Sequence, residues 1–170
     1  MTKFDQLEAK MTEEKTYTAA QAHYFFAVEF HRQTWDLLDK PGRTRFDNVR
    51  MLDYAHASLA HWRASGTAVR QQRGEWLISR VHSVLGEGEP ALKHAQLCHE
   101  LLEGNRDEME DFDFAFAYEA IARAYAVHGE KPEALKFIER AQKAGEAIQA
   151  QEDRETFFAE FNGGDWHGVK

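Results

Sequence analysis

The chain has 170 residues, of which 43% are hydrophobic and 29% charged, with a net charge of −8 and a pI near 5.6. That is enough chain for one domain with a sizeable core, and it is too apolar for a wholly disordered one. The acidic balance argues against a nucleic-acid-binding face, no apolar run reaches membrane-spanning length, and the single Cys98 excludes an internal disulfide, which fits a cytoplasmic location.

Proline is scarce at 3 residues, and Ala, Glu, Leu, Gln and Arg are common, so helix is the favoured state. Residues 1–16 are polar and acidic. Phe4, Leu7 and Met11 are spaced for one or two amphipathic turns, and the segment reads as an N-terminal tail or a short helix. Thr18 and Gln21 have capping-box spacing and open a first helix that runs to about Leu38. Phe25, Val28, Trp35 and Leu38 share one side of it, and Pro41-Gly42 ends it. A second helix covers roughly Phe46 to Ala64, with Val49, Leu52, Ala55, Leu59 and Trp62 as its expected buried stripe.

Thr67 caps a third helix that runs to Leu85, with Leu77, Val81, Val84 and Leu85 in one apolar line. Gly74 inside it implies a close helix contact or a late start. Gly86-Glu87-Gly88 breaks the chain, and Pro90 suits the first turn of a fourth helix that ends at Gly104-Asn105. After a charged linker, Asp111 or Asp113 opens a fifth helix that is apolar almost all round and is expected to be the most buried. Pro132 opens a sixth, which runs to about Ala150. A short last helix covers Asp153 to Phe161. The tail 162–170 is flexible by composition, although Trp166 is a large apolar group for an unpacked end. The expected fold is therefore all-α: three antiparallel hairpins over residues 17–161, the last followed by a short helix.

One pattern occurs twice. Gly86, Ala91 and Leu92 recur as Gly129, Ala134 and Leu135, each at an offset of 43 residues (86 to 129, 91 to 134, 92 to 135). The third hairpin carries Tyr118, Ile121, Ala122 and Tyr125 before its glycine, and Ala134, Ile138 and Ala141 after it. The second carries Glu75, Ile78, Ser79 and His82, then Ala91, Ala95 and Cys98. This spacing of bulky and small residues resembles the tetratricopeptide (TPR) repeat family. The offset is longer than that family's usual repeat of about 34 residues, and Glu75 and His82 depart from its pattern. The resemblance implies a right-handed stack whose first helices line a concave groove.

By that resemblance, groove positions fall on Arg73, Trp76, Arg80, Ser83 and Val84 of the third helix and on Phe116, Glu119, Arg123, Ala126 and Val127 of the fifth. Arginines 73, 80 and 123 would converge beside Trp76, a combination suited to carboxylates, phosphates or a peptide terminus. The plainer reading is that Glu119 pairs with Arg123 four residues on, and with Arg80 across the stack, simply holding the helices together. The nine histidines include pairs five apart, His56/His61 and His94/His99, which do not share a helix face. A metal site would have to be assembled from separate helices, for example by His56, His82 and Glu29. Cys98 has no activating neighbour, and Ser58, Ser79 and Ser83 read as small packing residues.

These observations lead to a non-enzymatic module for a protein or peptide partner of acidic character, with Arg73, Trp76, Arg80, Glu119 and Arg123 as ligand-binding residues. No cofactor, metal, nucleic acid or membrane enters that reading. The alternatives are a helical metal protein or enzyme using His56 and His82, and a structural homo-oligomer, such as a homodimer, whose groove is filled by its own C-terminal tail.

Overall fold

The computed structural model describes residues 16–170 and is all-helical among them; the weak amphipathic turn expected around Phe4, Leu7 and Met11 lies outside the described residues. Among the described residues seven α-helices follow one another: α1 (Ala19–Leu38), α2 (Arg45–Ser65), α3 (Ala68–Leu85), α4 (Gly88–Gly104), α5 (Asp111–His128), α6 (Lys131–Glu146) and α7 (Gln151–Asn162). A single 3-10 turn, Arg106–Glu108, occupies the charged linker between α4 and α5. The closest packing is within the pairs α1/α2, α3/α4 and α5/α6, and each hairpin then rests on the next.

Local chemistry sets most helix ends. Thr18 and Gln21 form a capping box on α1, and Thr44 and Asp47 form one on α2. Thr67 accepts from the Arg70 amide at the start of α3. Each box satisfies two amide donors that the first helical turn would otherwise leave unpaired. Gly86 and Gly129 close α3 and α5 in the left-handed region, at φ 77° and 91°, where a side chain is unfavourable. The following amides, Glu87 and Glu130, return to the carbonyls of His82 and Tyr125 at 2.9 Å in both cases. The repeated glycine is thus a repeated Schellman turn. Helix α4 begins at Gly88, so Pro90 is its third residue rather than its first, still within the turn whose amides need no intrahelical partner. Helix α6 ends at Glu146, earlier than the expected Ala150, because Gly145 and Ala147 give way to the turn into α7.

The core runs through the middle of the stack. Met51, Ala55 and Leu59 of α2, Leu77, Ile78 and Val81 of α3, Ala91, Ala95, Cys98 and Leu102 of α4, and Ala117, Ala120 and Ala124 of α5 are buried together. Small residues take most of the fully buried positions of α4 and α5, so the backbones approach closely. Gly74 belongs to this design: a Cβ there would stand 2.9 Å from Leu59 Cδ1, so the glycine admits α2 against α3. Helix α5 is heavily buried, as its composition predicts, and α3 matches it despite a mixed sequence, because α3 has hairpins on both sides.

Position in the stack decides burial where periodicity alone misleads. Phe25, Val28 and Val49, expected in buried stripes, are 49%, 44% and 53% exposed. Among the described residues helix α1 has its main packing partner in α2 alone, and it buries Ala27, Thr34 and Leu37 there instead. Val84 is likewise exposed at the lip of α3. At the other end of the stack, α7 seals α5 and α6 with Phe157 and Phe161, and the tail beyond it folds back so that Trp166 is only 5% exposed.

Candidate functional site

Helices α3 and α5 lie beside each other in the register of the repeat. The 43-residue offset places Arg80 and Arg123 in equivalent slots, and Trp76 opposite Glu119. Glu119 is the centre of the resulting cluster and is 1% exposed. It accepts a hydrogen bond from Arg123 Nε one helical turn on, and another from Trp76 Nε1 across the helix interface at 3.4 Å. Arg80 Nη1 stands 4.0 Å from the same carboxylate, and its Nη2 donates to Glu160 of α7 at 3.0 Å. Two arginines and two glutamates therefore make a locally neutral set.

Arg123 uses the rest of its donors on the C-terminal segment. Its Nη2 donates to the carbonyls of Glu160 at 2.7 Å and Gly163 at 2.9 Å, and its Nη1 to that of Asp165 at 3.5 Å. The last carbonyls of a helix lack intrahelical donors, and a guanidinium fork supplies them here. Trp166 covers the other face, with the Arg123 Cζ 4.1 Å from its ring centroid. Burial pulls the Arg123 pKa below the usual arginine value and the Glu119 charge opposes the fall; an arginine starts far enough above neutrality to stay charged. Gly164 permits this closure: it adopts φ 72°, and a Cβ there would sit 3.1 Å from Arg123 Nη1.

A different environment surrounds Arg73 and Trp76. Arg73 makes a bidentate pair with Asp113, Nε to Oδ1 at 2.8 Å and Nη2 to Oδ2 at 2.9 Å, and lies over the Phe112 ring at 4.7 Å. The Asp113 hydrogen bond raises the Arg73 pKa above its ordinary value. Beside this pair is a cleft of about 390 Å³ between α1, α3, α5 and α7, with His31, Trp35, Trp76 and Phe116 in its wall. Trp35 stacks on Trp76 with centroids 6.0 Å apart, and Phe116 meets Trp76 edge-on at 5.2 Å. Gln72 also lines the cleft. Its amide nitrogen donates to Cys98 Sγ at 3.1 Å, and its buried carbonyl oxygen has no partner.

The five residues expected to bind a ligand thus divide. Arg80, Glu119 and Arg123 are engaged with one another and with the C-terminal segment, whereas Arg73 and Trp76 border an open cleft. Sequence reasoning missed Trp35, Phe112, Gln72, Glu160 and Trp166. Of these, Trp35 carried a signal, as a tryptophan on the inner stripe of the first helix, and so did Trp166, as a large apolar group in a tail that composition alone leaves unpacked. The dense aromatic run of α5 is half-buried, with Phe116 packed edge-on against Phe157 of α7 at 5.1 Å. Glu29, weighed as a partner for His56 and His82, instead pairs with Arg32 at 2.8 Å and with Gln33; the group that joins the two histidines is His94. Cys98 is fully buried, and burial pushes its thiol pKa well above the ordinary range, which leaves it an inert packing residue. No helix is long and apolar enough to cross a membrane among the described residues. Comparison with protein-family models, with curated proteins and with solved structures gives no match for this chain.

Proposed function

We propose that this protein is a non-enzymatic binding module that takes a bulky apolar side chain of a partner protein into the cleft beside Trp76. The observation that carries the reading is the wall of the cleft, made by Trp35, Trp76, Phe112 and Phe116 from three different helices. Its volume of about 390 Å³ falls at the lower end of the range for small-ligand pockets, the size for one or two side chains. Aromatic walls supply large contact area with little rotamer entropy to lose, which is the usual chemistry of a binding hot spot. The charged neighbours are already matched, Arg73 by Asp113 and Arg80 by Glu160, so they orient a partner rather than attract an acidic one. The TPR-like arrangement inferred from the repeat fits this reading, because the cleft opens among α1, α3 and α5, the first helices of the three hairpins.

Peptide display against the purified chain tests the proposal. Selected peptides should share a Trp, Phe, Leu or Met anchor. Thr156→Trp, a plug introduced at an exposed position on the cleft edge, should weaken them at least tenfold with an unchanged melting temperature. Selection of peptides without such an anchor, or binding indifferent to the plug, would overturn it.

A second reading, self-association, rests on the N-terminal half of α1, where Tyr24, Phe25, Phe26 and Val28 are 42–49% exposed. Phe25→Glu combined with Val28→Glu should then reduce the solution mass to that of one chain, and a wild-type protein already monomeric at high concentration would end this reading.

A further inference from the structure

Three imidazoles from three consecutive helices meet on the second hairpin. His56 of α2, His82 of α3 and His94 of α4 each offer a ring nitrogen within 4.8 Å of the other two. The ring centroids are 5.5 Å apart for His56 and His94, 5.7 Å for His82 and His94, and 6.3 Å for His56 and His82. His82 is buried, His94 half-buried and His56 exposed.

The two inner rings are held by carboxylates through the same atom. His82 Nδ1 lies 2.6 Å from Glu87 Oε2, and His94 Nδ1 lies 2.7 Å from Glu75 Oε2. Glu75 is itself fixed by Arg63, whose Nη2 donates to its other oxygen at 2.6 Å. A neutral imidazole that donates its Nδ1 proton to a carboxylate keeps its Nε2 lone pair for a ligand. That carboxylate–histidine pattern is how proteins orient and strengthen imidazole ligands of transition metals.

Packing alone does not call for these residues, as the third hairpin demonstrates. The 43-residue offset maps Glu75, His82 and His94 onto Tyr118, Tyr125 and Phe137. There the same slots are filled by uncharged benzene-type rings, with Tyr125 and Phe137 centroids 5.9 Å apart and Tyr118 and Phe137 6.5 Å apart. The second hairpin replaces that aromatic cluster with two histidines and a buried glutamate, and adds His56 from the neighbouring helix. Crowding three imidazoles also discourages protonation: partial desolvation lowers the His56 pKa, and His94 and His82 lower it further.

We propose that His56, His82 and His94 bind a divalent transition-metal ion, zinc foremost, with Glu87 and Glu75 as the groups that orient the two inner rings. Three nitrogen ligands without a carboxylate in direct contact suit zinc, cobalt, nickel or copper, and not magnesium or calcium, which require oxygen. Zinc–nitrogen bonds of about 2.0–2.1 Å in a tetrahedron need nitrogens roughly 3.4 Å apart, so the rings draw together on binding. Exposed His56 has the freedom to make that movement. The described residues supply three ligands, so water takes the remaining position.

Chelator-treated full-length protein titrated calorimetrically with zinc chloride, and separately with cobalt chloride, tests the site. We expect one ion per chain, and a cobalt visible spectrum of four-coordinate type. His56→Ala and His94→Ala should each weaken zinc by more than the roughly 10–100-fold typical of losing an orienting partner, and Glu87→Gln should fall within that range. His61→Ala, at the other histidine contact (His23 Nδ1 to His61 Nδ1, 2.8 Å), should bind as wild type. If His94→Ala does not fold, the exposed His56→Ala decides alone. The site is overturned by the absence of stoichiometric zinc, by wild-type affinity in His56→Ala, or by an equal loss in His61→Ala.

Discussion

The second and third hairpins share one backbone plan and carry different chemistry on it. Both close their first helix with a left-handed glycine and return the next glutamate amide to a carbonyl one turn back. Both place an arginine in the same slot, Arg80 in one and Arg123 in the other. Yet Arg123 is 2% exposed beneath the C-terminal segment, while Arg80 is held by the half-buried Glu160 at the cluster's edge. The third hairpin fills its remaining slots with Tyr118, Tyr125 and Phe137, whereas the second uses Glu75, His82 and His94. The repeat therefore fixes where side chains go, and the neighbours at each level fix what they do there. The last hairpin faces α7 and the tail, so its polar groups are spent on closing the stack. The middle hairpin is flanked by both others, and its polar groups border a cleft and a histidine cluster instead.

Equivalent arginines should therefore have unequal effects. Arg123→Ala leaves the Glu119 carboxylate buried with its principal partner gone and also frees the carbonyls of Glu160 and Gly163. Removing one partner of a buried pair typically costs 3–5 kcal/mol, and equilibrium urea unfolding should register a loss of about that size. Arg123→Lys should recover little of it, since one ammonium cannot span Glu119 and the α7 carbonyls as the fork does. Arg80→Ala should cost only about 1–2 kcal/mol, because Glu160 is more accessible and Glu119 keeps Arg123. Equal losses at the two positions would mean that the tail does not distinguish them.

Much of this architecture is written locally. The Thr18–Gln21 and Thr44–Asp47 boxes, Thr67, Gly86 and Gly129 each act within one turn, so the helix starts and stops follow from neighbouring residues. The meeting of Arg80, Glu119 and Arg123 is legible too, because a fixed offset puts equivalent positions side by side. What the offset cannot supply is the tail. Glu160, Gly163, Asp165 and Trp166 reach Arg123 from 37–43 residues away through a segment without periodicity. His94 is hidden for a related reason: it joins His56 and His82 only once α4 is folded back on α3, and spacing within one helix says nothing of it. Phe25 and Val28 show the converse, an apolar stripe in a helix that has too few neighbours among the described residues to cover it.

The second hairpin can be given the side chains of the third. Glu75→Tyr, His82→Tyr and His94→Phe together remove the buried carboxylate and both inner imidazoles, and leave their outer partners Arg63 and Glu87 at accessible positions where water solvates them. Each exchange enlarges the side chain, and overpacking typically costs about 1–3 kcal/mol, so the triple variant should still fold cooperatively in thermal melts with a loss of that size and lose zinc binding altogether. A collapse in stability would show that the imidazole–carboxylate pairs support the fold and are not a substitution upon it.

The smallest effect concerns His31 at the wall of the cleft. Its Nε2 accepts a hydrogen bond from Trp35 Nε1 at 3.1 Å, which only the neutral ring can do, and burial lowers its pKa below the ordinary value near 6.5. A histidine whose folded pKa is depressed takes up its proton more readily in the unfolded chain. Its contribution is therefore complete above about pH 6.5 and is lost progressively as pH falls through that value towards the folded pKa. His56 and His61, also lowered chiefly by desolvation, act with the same sign, so the melting temperature should decline as pH falls below about 6.5. His31→Gln keeps an acceptor for Trp35 without a titrating group. It should flatten part of that decline and remove the accompanying change in tryptophan fluorescence. If the slope and the fluorescence change survive in His31→Gln, the acid response belongs to the histidine clusters on α2–α4 and not to the cleft.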